Sequence, residues 1–220
     1  METTNKLTEK LTKIISDDET INKYDNIPAS SSVDYMTYHP NVVGYNSTAE
    51  QQYIFENLLV GYHPDHYSIL DIGCGRADLY GYLRESYEDS LISYQGLDFN
   101  PNMSTIAKQK HNVDITLGTF GIAELKPADW VVACGFFTPR RCETEDEDLQ
   151  QLFKDVHKMY ELANNCVSFN LLSPIGNDLT DGFLYVHPGL VMDMLIEQYK
   201  YVTVRNNYAN DVYTVTIYKF

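Results

Sequence analysis

The 220-residue sequence predicts an α/β domain built on a doubly wound parallel sheet. From residue 68 onward, short apolar segments alternate with amphipathic ones, which is the order that strand–helix–strand units produce. The last two apolar segments are separated only by NNYAND, which is too short for a parallel crossover. The sequence therefore predicts a parallel sheet whose last strand is antiparallel to its neighbour.

Short apolar segments and segments of helical periodicity give the individual elements. The predicted strands are 68–72, 93–98, 113–117, 129–134, 166–172, 200–205 and 212–219. The predicted helices of the domain are 48–60, 77–88, 101–111, 145–163 and 187–198. Ser47 or Thr48 is expected to cap the first of these helices, supported by Glu50 or Gln51. The acidic run ETEDED at 143–148 is interpreted as a helix start, because carboxylates favour helix N-termini, rather than as a metal site.

An N-terminal extension, residues 1–34, is predicted to precede a domain that covers 35–220. Residues 4–24 form an amphipathic pattern with an apolar face made of Leu7, Leu11, Ile14 and Ile15. A Pro/Ser-rich break follows this segment. The amphipathic helix is expected to cap the domain or to meet a protein partner or a second copy of the chain.

Composition restricts the possible partners. The net charge is −15, with 16 Lys and Arg against 31 Asp and Glu, and the one basic pair is Arg140–Arg141. Nucleic-acid binding depends on neutralising phosphates, so a nucleic-acid substrate is not expected. The N-terminus is too polar for a signal peptide, and no apolar run is long enough for a membrane span.

Cysteine and histidine spacing gives no metal site. The four cysteines contain no CxxC pair, which argues against zinc and against a disulfide framework and favours a cytoplasmic protein. His63 and His66 have HxxH spacing, but a loop between a helix and a strand is the better interpretation.

The segment SILDIGCGRADLYGYL, residues 68–83, has the features of a ligand-binding turn. An apolar strand reaches Asp71, Gly73 and Gly75 follow, and a helix begins. Glycines let the backbone turn tightly and approach a ligand, and ligands of doubly wound sheets bind at the carboxyl ends of the strands. The helix N-terminus also faces that position.

Two ligand classes compete for this turn. A dinucleotide fold requires GxGxxG, with glycine where this chain has Asp78, and a carboxylate there is expected to repel a pyrophosphate. S-adenosylmethionine has no phosphate, and Asp71 suits its cationic amino and sulfonium groups. Asp98 ends the second strand, where a carboxylate accepts hydrogen bonds from ribose hydroxyls in either class. Phe99 is placed to pack on the adenine, with a core role as the alternative.

The segments ILDIGCGRADLYGYL, YQGLDFNPNMSTIAKQK and DWVVACGFF resemble the class I S-adenosylmethionine-dependent methyltransferases. The upstream segment VVGYNSTAEQQYIFENLL is similar to that of small bacterial and bacteriophage members, with Gly44–Tyr45 in place of a Gly-Trp pair. The resemblance implies a Rossmann-like sheet of seven strands in the order 3-2-1-4-5-7-6 with the last strand antiparallel. It also implies S-adenosyl-L-methionine as cofactor.

By this resemblance, the methionine end of the cofactor would contact the glycine turn, and the other groups would follow the next strands. The implied cofactor-binding residues are Asp71, Gly73, Cys74, Gly75, Asp98, Phe99, Thr119, Phe120 and Cys134. Two positions depart from the family pattern. Ala77 replaces the third glycine, and Thr119 stands where an acidic residue often holds the adenine amino group. The second change is expected to weaken cofactor binding by about 1 kcal/mol.

The sequence contains fewer signals for the residues that contact the methyl acceptor. Residues proposed to contact the acceptor are Tyr38, His39, Tyr45, Phe136 and Arg140. The boxes of amino-methylating and cytosine-C5 DNA enzymes are missing, in agreement with the acidic charge. Methyl transfer depends mainly on positioning, so no catalytic base is assigned. The sequence thus predicts a methyltransferase of a small molecule or sugar; the alternative is a methyltransferase-like structural protein, for example of a phage particle.

Overall fold

The computed structural model describes residues 45–176 and 178–220. Seven strands form one mixed sheet: β1 (Ile69–Ile72), β2 (Tyr94–Asp98), β3 (Thr116–Leu117), β4 (Ala128–Ala133), β5 (Ala163–Leu172), β6 (Tyr201–Arg205) and β7 (Val212–Tyr218). Their spatial order is β3-β2-β1-β4-β5-β7-β6. Strands β1 to β5 are parallel, and β7 is antiparallel to both β5 and β6. The predicted sheet, with its antiparallel last strand, is confirmed.

Five helices connect these strands: α1 (Thr48–Leu58), α2 (Asp78–Ser86), α3 (Pro101–His111), α4 (Glu145–Leu162) and α5 (Pro188–Ile196). Each lies within a predicted helical segment. The predicted helix at 4–24, the boundary at residue 34, Tyr38 and His39 lie outside the described residues.

Two strand predictions were wrong in their limits. β5 begins at Ala163 rather than at residue 166, because α4 continues directly into the strand without a loop. β3 contains two residues instead of five, because it lies at the edge of the sheet and pairs with β2 only at Thr116 and Leu117.

Side-chain caps determine where the helices begin. Ser47 caps α1 by accepting a hydrogen bond from the Glu50 amide at 3.1 Å. Thr144 and Glu147 form a reciprocal capping box at the start of α4, which confirms the interpretation of the acidic run as a helix start. Asp148, in the same turn, is fully buried.

The apolar core lies on both faces of the sheet. Phe137, Leu152, Phe169 and Val215 belong to the larger cluster, and Leu58, Ile69, Trp130 and Val132 belong to the smaller one. Adjacent residues such as Val131 and Val132 contribute to opposite clusters, as the alternation of side chains along a strand requires. Among the described residues, no helix has the length and apolarity needed to cross a bilayer.

The register of the parallel strands places their carboxyl ends at one edge of the sheet. Asp71 of β1 is paired with Gly96 of β2 on one side and with Val132 of β4 on the other. The residues that follow these strands therefore meet at the same edge, and α1 is packed beside them.

Ser168→Ala is expected to lower the free energy of unfolding by about 1–2 kcal/mol. The buried Ser168 hydroxyl donates to the Leu58 carbonyl at 2.7 Å and so fixes the end of α1 on the sheet. Removing the hydroxyl leaves the buried Leu58 carbonyl without this hydrogen-bond donor. Urea unfolding measures the effect. The control is Thr105→Ala, which removes an exposed hydroxyl–carbonyl bond that water replaces; equal losses in the two variants would contradict the prediction.

Candidate functional site

A cavity of about 320 Å³ lies at the carboxyl edge of the sheet, within the size range of small-molecule sites. Its walls come from the segments that follow β1, β2, β3 and β4 and from α1. It is lined by Tyr45, Gln51, Phe55, Asp71, Gly73, Cys74, Gly75, Arg76, Asp78, Leu79, Leu97, Asp98, Phe99, Met103, Gly118, Thr119, Phe120, Cys134, Gly135, Phe136, Pro139 and Arg141. The nine residues implied as cofactor-binding all lie in this wall, together with Tyr45 and Phe136.

The glycine turn between β1 and α2 is held in left-handed conformations. Gly73, Gly75 and Ala77 have φ values of 69°, 52° and 56°. The Cys74 amide donates to the Leu97 carbonyl at 2.9 Å, which ties the turn to β2. Ala77 adopts at the start of α2 the left-handed conformation that a glycine would take more readily, so this departure from the family pattern leaves the turn intact.

Gly73→Ala is expected to destabilise the chain by clearly more than the roughly 1 kcal/mol that a left-handed alanine costs. A β-carbon on Gly73 would lie 2.7 Å from Cδ2 of Phe136, so either the turn or the ring must move. Gly176→Ala is the matched control, because Gly176 has a similar φ of 73° and no atom within 4 Å of the added carbon. Thermal unfolding compares the two variants, and a larger loss in the control would refute the contact with Phe136.

Asp71 is a buried carboxyl group in the cavity wall. It is 2% exposed and accepts a hydrogen bond from the Tyr94 hydroxyl at 2.9 Å. Burial raises the pKa of Asp71 to about 7, the Tyr94 bond opposes this, and the nearby Asp98 and Asp78 add to it. Near neutral pH this group therefore exchanges readily between its neutral and ionised forms.

Asp98 joins β2 to the glycine turn. Its Oδ2 accepts from the Gly75 amide and its Oδ1 from the Asn100 amide, both at 2.9 Å. Burial raises the pKa of Asp98, and these amide donors counteract the rise. Each oxygen retains a lone pair for a further donor, so the group can accept hydrogen bonds from a ligand in the cavity.

The carboxylate of Asp78 is neutralised by nearby cations, in contrast to the expectation from the sequence. Arg76 and Lys110 approach its oxygens at 2.7 and 2.6 Å, and Gln51 donates to it at 3.2 Å. Burial acts to raise the pKa of Asp78, but His111, Lys110 and Arg76 outweigh it and hold the pKa below its ordinary value. The expected repulsion of a pyrophosphate by Asp78 was wrong, because α3 and the glycine turn supply the neutralising cations.

The loop after β3 forms a second wall of the cavity. Phe120 is buried with its ring 6.0 Å from that of Phe136, whereas Phe99 is 39% exposed and offers a free ring face. Lys158 of α4 donates to the carbonyls of Phe120 and Gly121, which fixes the loop. Thr119 also lines the cavity, with its carbonyl accepting from the amides of a tight turn.

Cys134, directly after β4, faces Tyr45. The Tyr45 hydroxyl and the Cys134 sulfur are 3.1 Å apart, and Asn170 of β5 donates to the same sulfur at 3.6 Å. Burial raises the pKa of Cys134 to about 12 and also raises that of Tyr45. Both groups are therefore protonated at neutral pH, and this wall of the cavity is uncharged.

Arg140 does not line the cavity, so the structure does not bring it together with Tyr45 and Phe136, the other described residues proposed to contact an acceptor. The Nε of Arg140 donates to Asp148 of α4 at 3.0 Å, which turns the side chain away. The next residue, Arg141, lines the cavity instead. Arg141 pairs with Asp155 at 3.1 Å, and its guanidinium lies 5.1 Å from the centre of the Phe136 ring.

Sequence reasoning missed several polar residues of the wall. Arg76 has a recognisable signal, since it is a charged residue inside a glycine turn, and Gln51 lies in a helix already noted upstream of that turn. No sequence signal distinguishes Arg141, because the adjacent Arg140 offers the same chemistry. The apolar residues Phe55, Leu79, Leu97 and Met103 are indistinguishable in sequence from core residues.

No protein-family model matches the chain. No curated protein sequence matches it. Solved structures do match, and all three described below are methyltransferases by name.

Human N-acetylserotonin methyltransferase, in complex with S-adenosylmethionine, has a TM-score of 0.55 and 14% identity to this chain. The match covers 78% of the present chain, which spans about half, 54%, of the human chain. Magnesium protoporphyrin IX methyltransferase from Synechocystis, also with S-adenosylmethionine bound, has a TM-score of 0.56 and 12% identity over 97% of both chains. The CcbJ methyltransferase from Streptomyces caelestis has a TM-score of 0.56 and 13% identity over 76% of this chain and 89% of its own.

At sequence identities of 12–14%, the similarity to these three structures concerns the fold alone. The strand order, the antiparallel β7 and the glycine turn after β1 agree with them. The chain therefore has the fold of the class I S-adenosylmethionine-dependent methyltransferases.

Proposed function

We propose that the chain is an S-adenosylmethionine-dependent methyltransferase that acts on a small-molecule acceptor. The observation that carries the proposal is a pair of buried carboxylates, Asp71 and Asp98, at the ends of adjacent strands beside a glycine turn. Within residues 45–176 and 178–220, neither forms an ion pair, whereas Asp78 and Arg141 of the same cavity are both paired. Both carboxyl groups are therefore available to a cationic or hydroxyl-bearing ligand in the cavity.

This charge distribution favours a cationic nucleoside over a phosphorylated one. S-adenosylmethionine has an ammonium and a sulfonium group for Asp71 and a ribose diol for Asp98. A dinucleotide would bring its pyrophosphate to the glycine turn beside Asp71, where two negative groups repel each other in a buried site. Two of the solved neighbours have S-adenosylmethionine bound, which supports the same choice.

The wall at Cys134 supports methyl transfer to an acceptor rather than to the protein. Bound S-adenosylmethionine supplies a methyl group activated by its sulfonium. Cys134 remains a neutral thiol because burial raises its pKa to about 12, so it does not offer a competing thiolate. Phe136, Pro139 and Arg141 also line the cavity, and such side chains can orient an acceptor and exclude water.

A small-molecule acceptor is supported by the neighbours, two of which are named for N-acetylserotonin and magnesium protoporphyrin IX. A purely structural role, the alternative from the sequence, predicts a cleft filled by side chains. The cavity of about 320 Å³ at this position favours a bound ligand instead.

Calorimetric titration tests the proposal. The chain is expected to bind S-adenosylmethionine and S-adenosylhomocysteine with micromolar affinity and NAD much more weakly. The double variant Asp71→Ala/Asp98→Ala, checked for folding by circular dichroism, is expected to lose this binding. A screen of small-molecule acceptors, followed by release of S-adenosylhomocysteine, then tests catalysis. Absence of binding at millimolar S-adenosylmethionine would overturn the proposal.

A further inference from the structure

Tyr94 is a tyrosine of β2 whose hydroxyl bonds a carboxyl group of the cavity wall from within the protein. In the register of β1 and β2, Tyr94 is opposite Ile69 and Gly96 is opposite Asp71. The Tyr94 side chain therefore extends along β2 over the length of two residues, and its hydroxyl donates to Oδ2 of Asp71 at 2.9 Å. Asp71 lines the cavity, whereas Tyr94 is not part of its wall.

Gly96 provides the space for this contact. A β-carbon on Gly96 would lie 3.1 Å from Cε1 of Tyr94 and 2.8 Å from the sulfur of Cys74. The ring of Tyr80, on α2, packs against the Tyr94 ring with 5.1 Å between their centres. The tyrosine is thus held between a strand and a helix, and the direction of its hydroxyl is fixed.

The groups that face Asp71 are otherwise acidic or neutral. They are Asp98 at the end of β2, Asp78 at the start of α2, Cys74 in the glycine turn, Cys134 after β4 and Tyr45 before α1. Arg76 and Lys110 bind Asp78 and balance that carboxylate. In the described part of the chain, the Tyr94 hydroxyl is the side-chain donor that bonds Asp71.

We propose that Tyr94 is a positioning residue of the ligand site: its hydroxyl orients the Asp71 carboxylate and stabilises its ionised form for the cationic group of the ligand. The proposal rests on the proposed function and adds a residue outside the cavity wall to it. A cationic ligand requires ionised Asp71, so its binding is linked to loss of a proton from this group.

The link between ligand binding and the ionisation of Asp71 has a defined direction with pH. Burial raises the pKa of Asp71 to about 7, and the Tyr94 bond lowers it. Affinity for a cationic ligand therefore increases as the pH rises through 7. Without the Tyr94 hydroxyl the pKa of Asp71 rises further, so the loss of affinity is large at pH 7 and shrinks as the pH increases.

Calorimetric titration with S-adenosylhomocysteine between pH 6 and 8.5 tests the proposal. The parent chain is expected to bind more tightly at pH 8 than at pH 6 and to release protons, detected as a dependence of the binding heat on the ionisation enthalpy of the buffer. Tyr94→Phe is expected to bind about fivefold more weakly at pH 7, which is the loss that a one-unit rise of the Asp71 pKa from about 7 causes at that pH, and to approach the parent at pH 8.5.

Two further variants separate positioning from a general effect on folding. Tyr80→Phe removes a hydroxyl from the adjacent ring, and we expect its pH profile to match the parent. Asp71→Asn is expected to bind weakly and without pH dependence, and adding Tyr94→Phe to it should cause no further loss, because the two residues act as one unit.

Two results would overturn the role of Tyr94. Binding by Tyr94→Phe that equals the parent's at every pH between 6 and 8.5 would overturn the role of Tyr94 and leave the proposed function intact. A loss in Tyr94→Phe that is equal at every pH would show a merely structural role and also overturn it. If Tyr94→Phe does not fold, Tyr94→Met, which also lacks the hydroxyl, takes its place, and the same pH profile decides the proposal. If the parent binds neither S-adenosylhomocysteine nor S-adenosylmethionine, the proposed function fails as well.

Discussion

Asp98→Ala is expected to reduce the affinity for S-adenosylmethionine by about 100-fold or more, which corresponds to about 3 kcal/mol. The carboxylate of Asp98 can accept hydrogen bonds from two ribose hydroxyls, and a bond to a charged acceptor contributes about 1.5–3 kcal/mol. The same oxygens accept from the amides of Gly75 and Asn100, so the substitution also loosens the glycine turn. Both effects weaken binding.

The matched control is Asp114→Ala, which removes the same charge from a surface position. Asp114 is paired with Lys108 at 2.9 Å, but its side chain is 83% exposed, so affinity should not change. Isothermal titration of both variants gives the comparison. Parent-like affinity in Asp98→Ala would show that the ribose is not bound at the end of β2.

Local signals made α3 predictable to the residue. Asn100 caps the helix through the Asn102 amide, Pro101 occupies the first turn, and Asn112 ends the helix in a left-handed conformation. All of these are short-range effects that can be recognised in sequence. The antiparallel end of the sheet was predictable for a similar reason, because NNYAND limits β6 and β7 to a hairpin.

The rest of the candidate site depends on contacts between distant residues. Asp78 is neutralised by Lys110, which lies 32 positions away on the next helix. Arg140 and Arg141 are adjacent, and their roles differ because Asp148 and Asp155 are two turns apart on α4 and bind one arginine each. Sequence alone does not give the placement of α4 relative to β4, so it could not choose between the two arginines.

Arg141 is a buried charge, and in the described part of the chain its guanidinium pairs with the carboxylate of Asp155. The Arg141 and Asp155 side chains are 2% and 5% exposed. Gln151 donates to the other oxygen of Asp155 at 3.0 Å, and the nearby Asp148 is occupied by Arg140 and two backbone amides. Loss of Asp155 therefore removes the carboxylate that pairs with the Arg141 guanidinium.

Asp155→Leu is expected to lower the free energy of unfolding by about 3–5 kcal/mol, because it leaves a buried guanidinium without its carboxylate. Arg141→Met should cost less. Burial raises the pKa of Asp155 above its ordinary range, so this carboxyl can take up a proton at modest cost, whereas a guanidinium has no such route to neutrality. The double variant should recover most of the loss, since neither charge remains. Urea unfolding at pH 7 of the four chains forms the cycle.

The pH dependence of the same cycle distinguishes this mechanism from a simple packing defect. A carboxyl whose pKa is higher in the folded chain than in the unfolded one holds its proton more tightly when folded, so its presence favours folding as the pH falls from 7 towards 5. Relative to the parent, Arg141→Met should therefore regain stability at pH 5, whereas Asp155→Leu should not. Equal costs for the two single variants at both pH values would contradict the asymmetry. In that case the two residues would contribute through packing against Phe136 and Phe137, which the Arg141 guanidinium approaches at 5.1 and 5.5 Å, rather than through their charges.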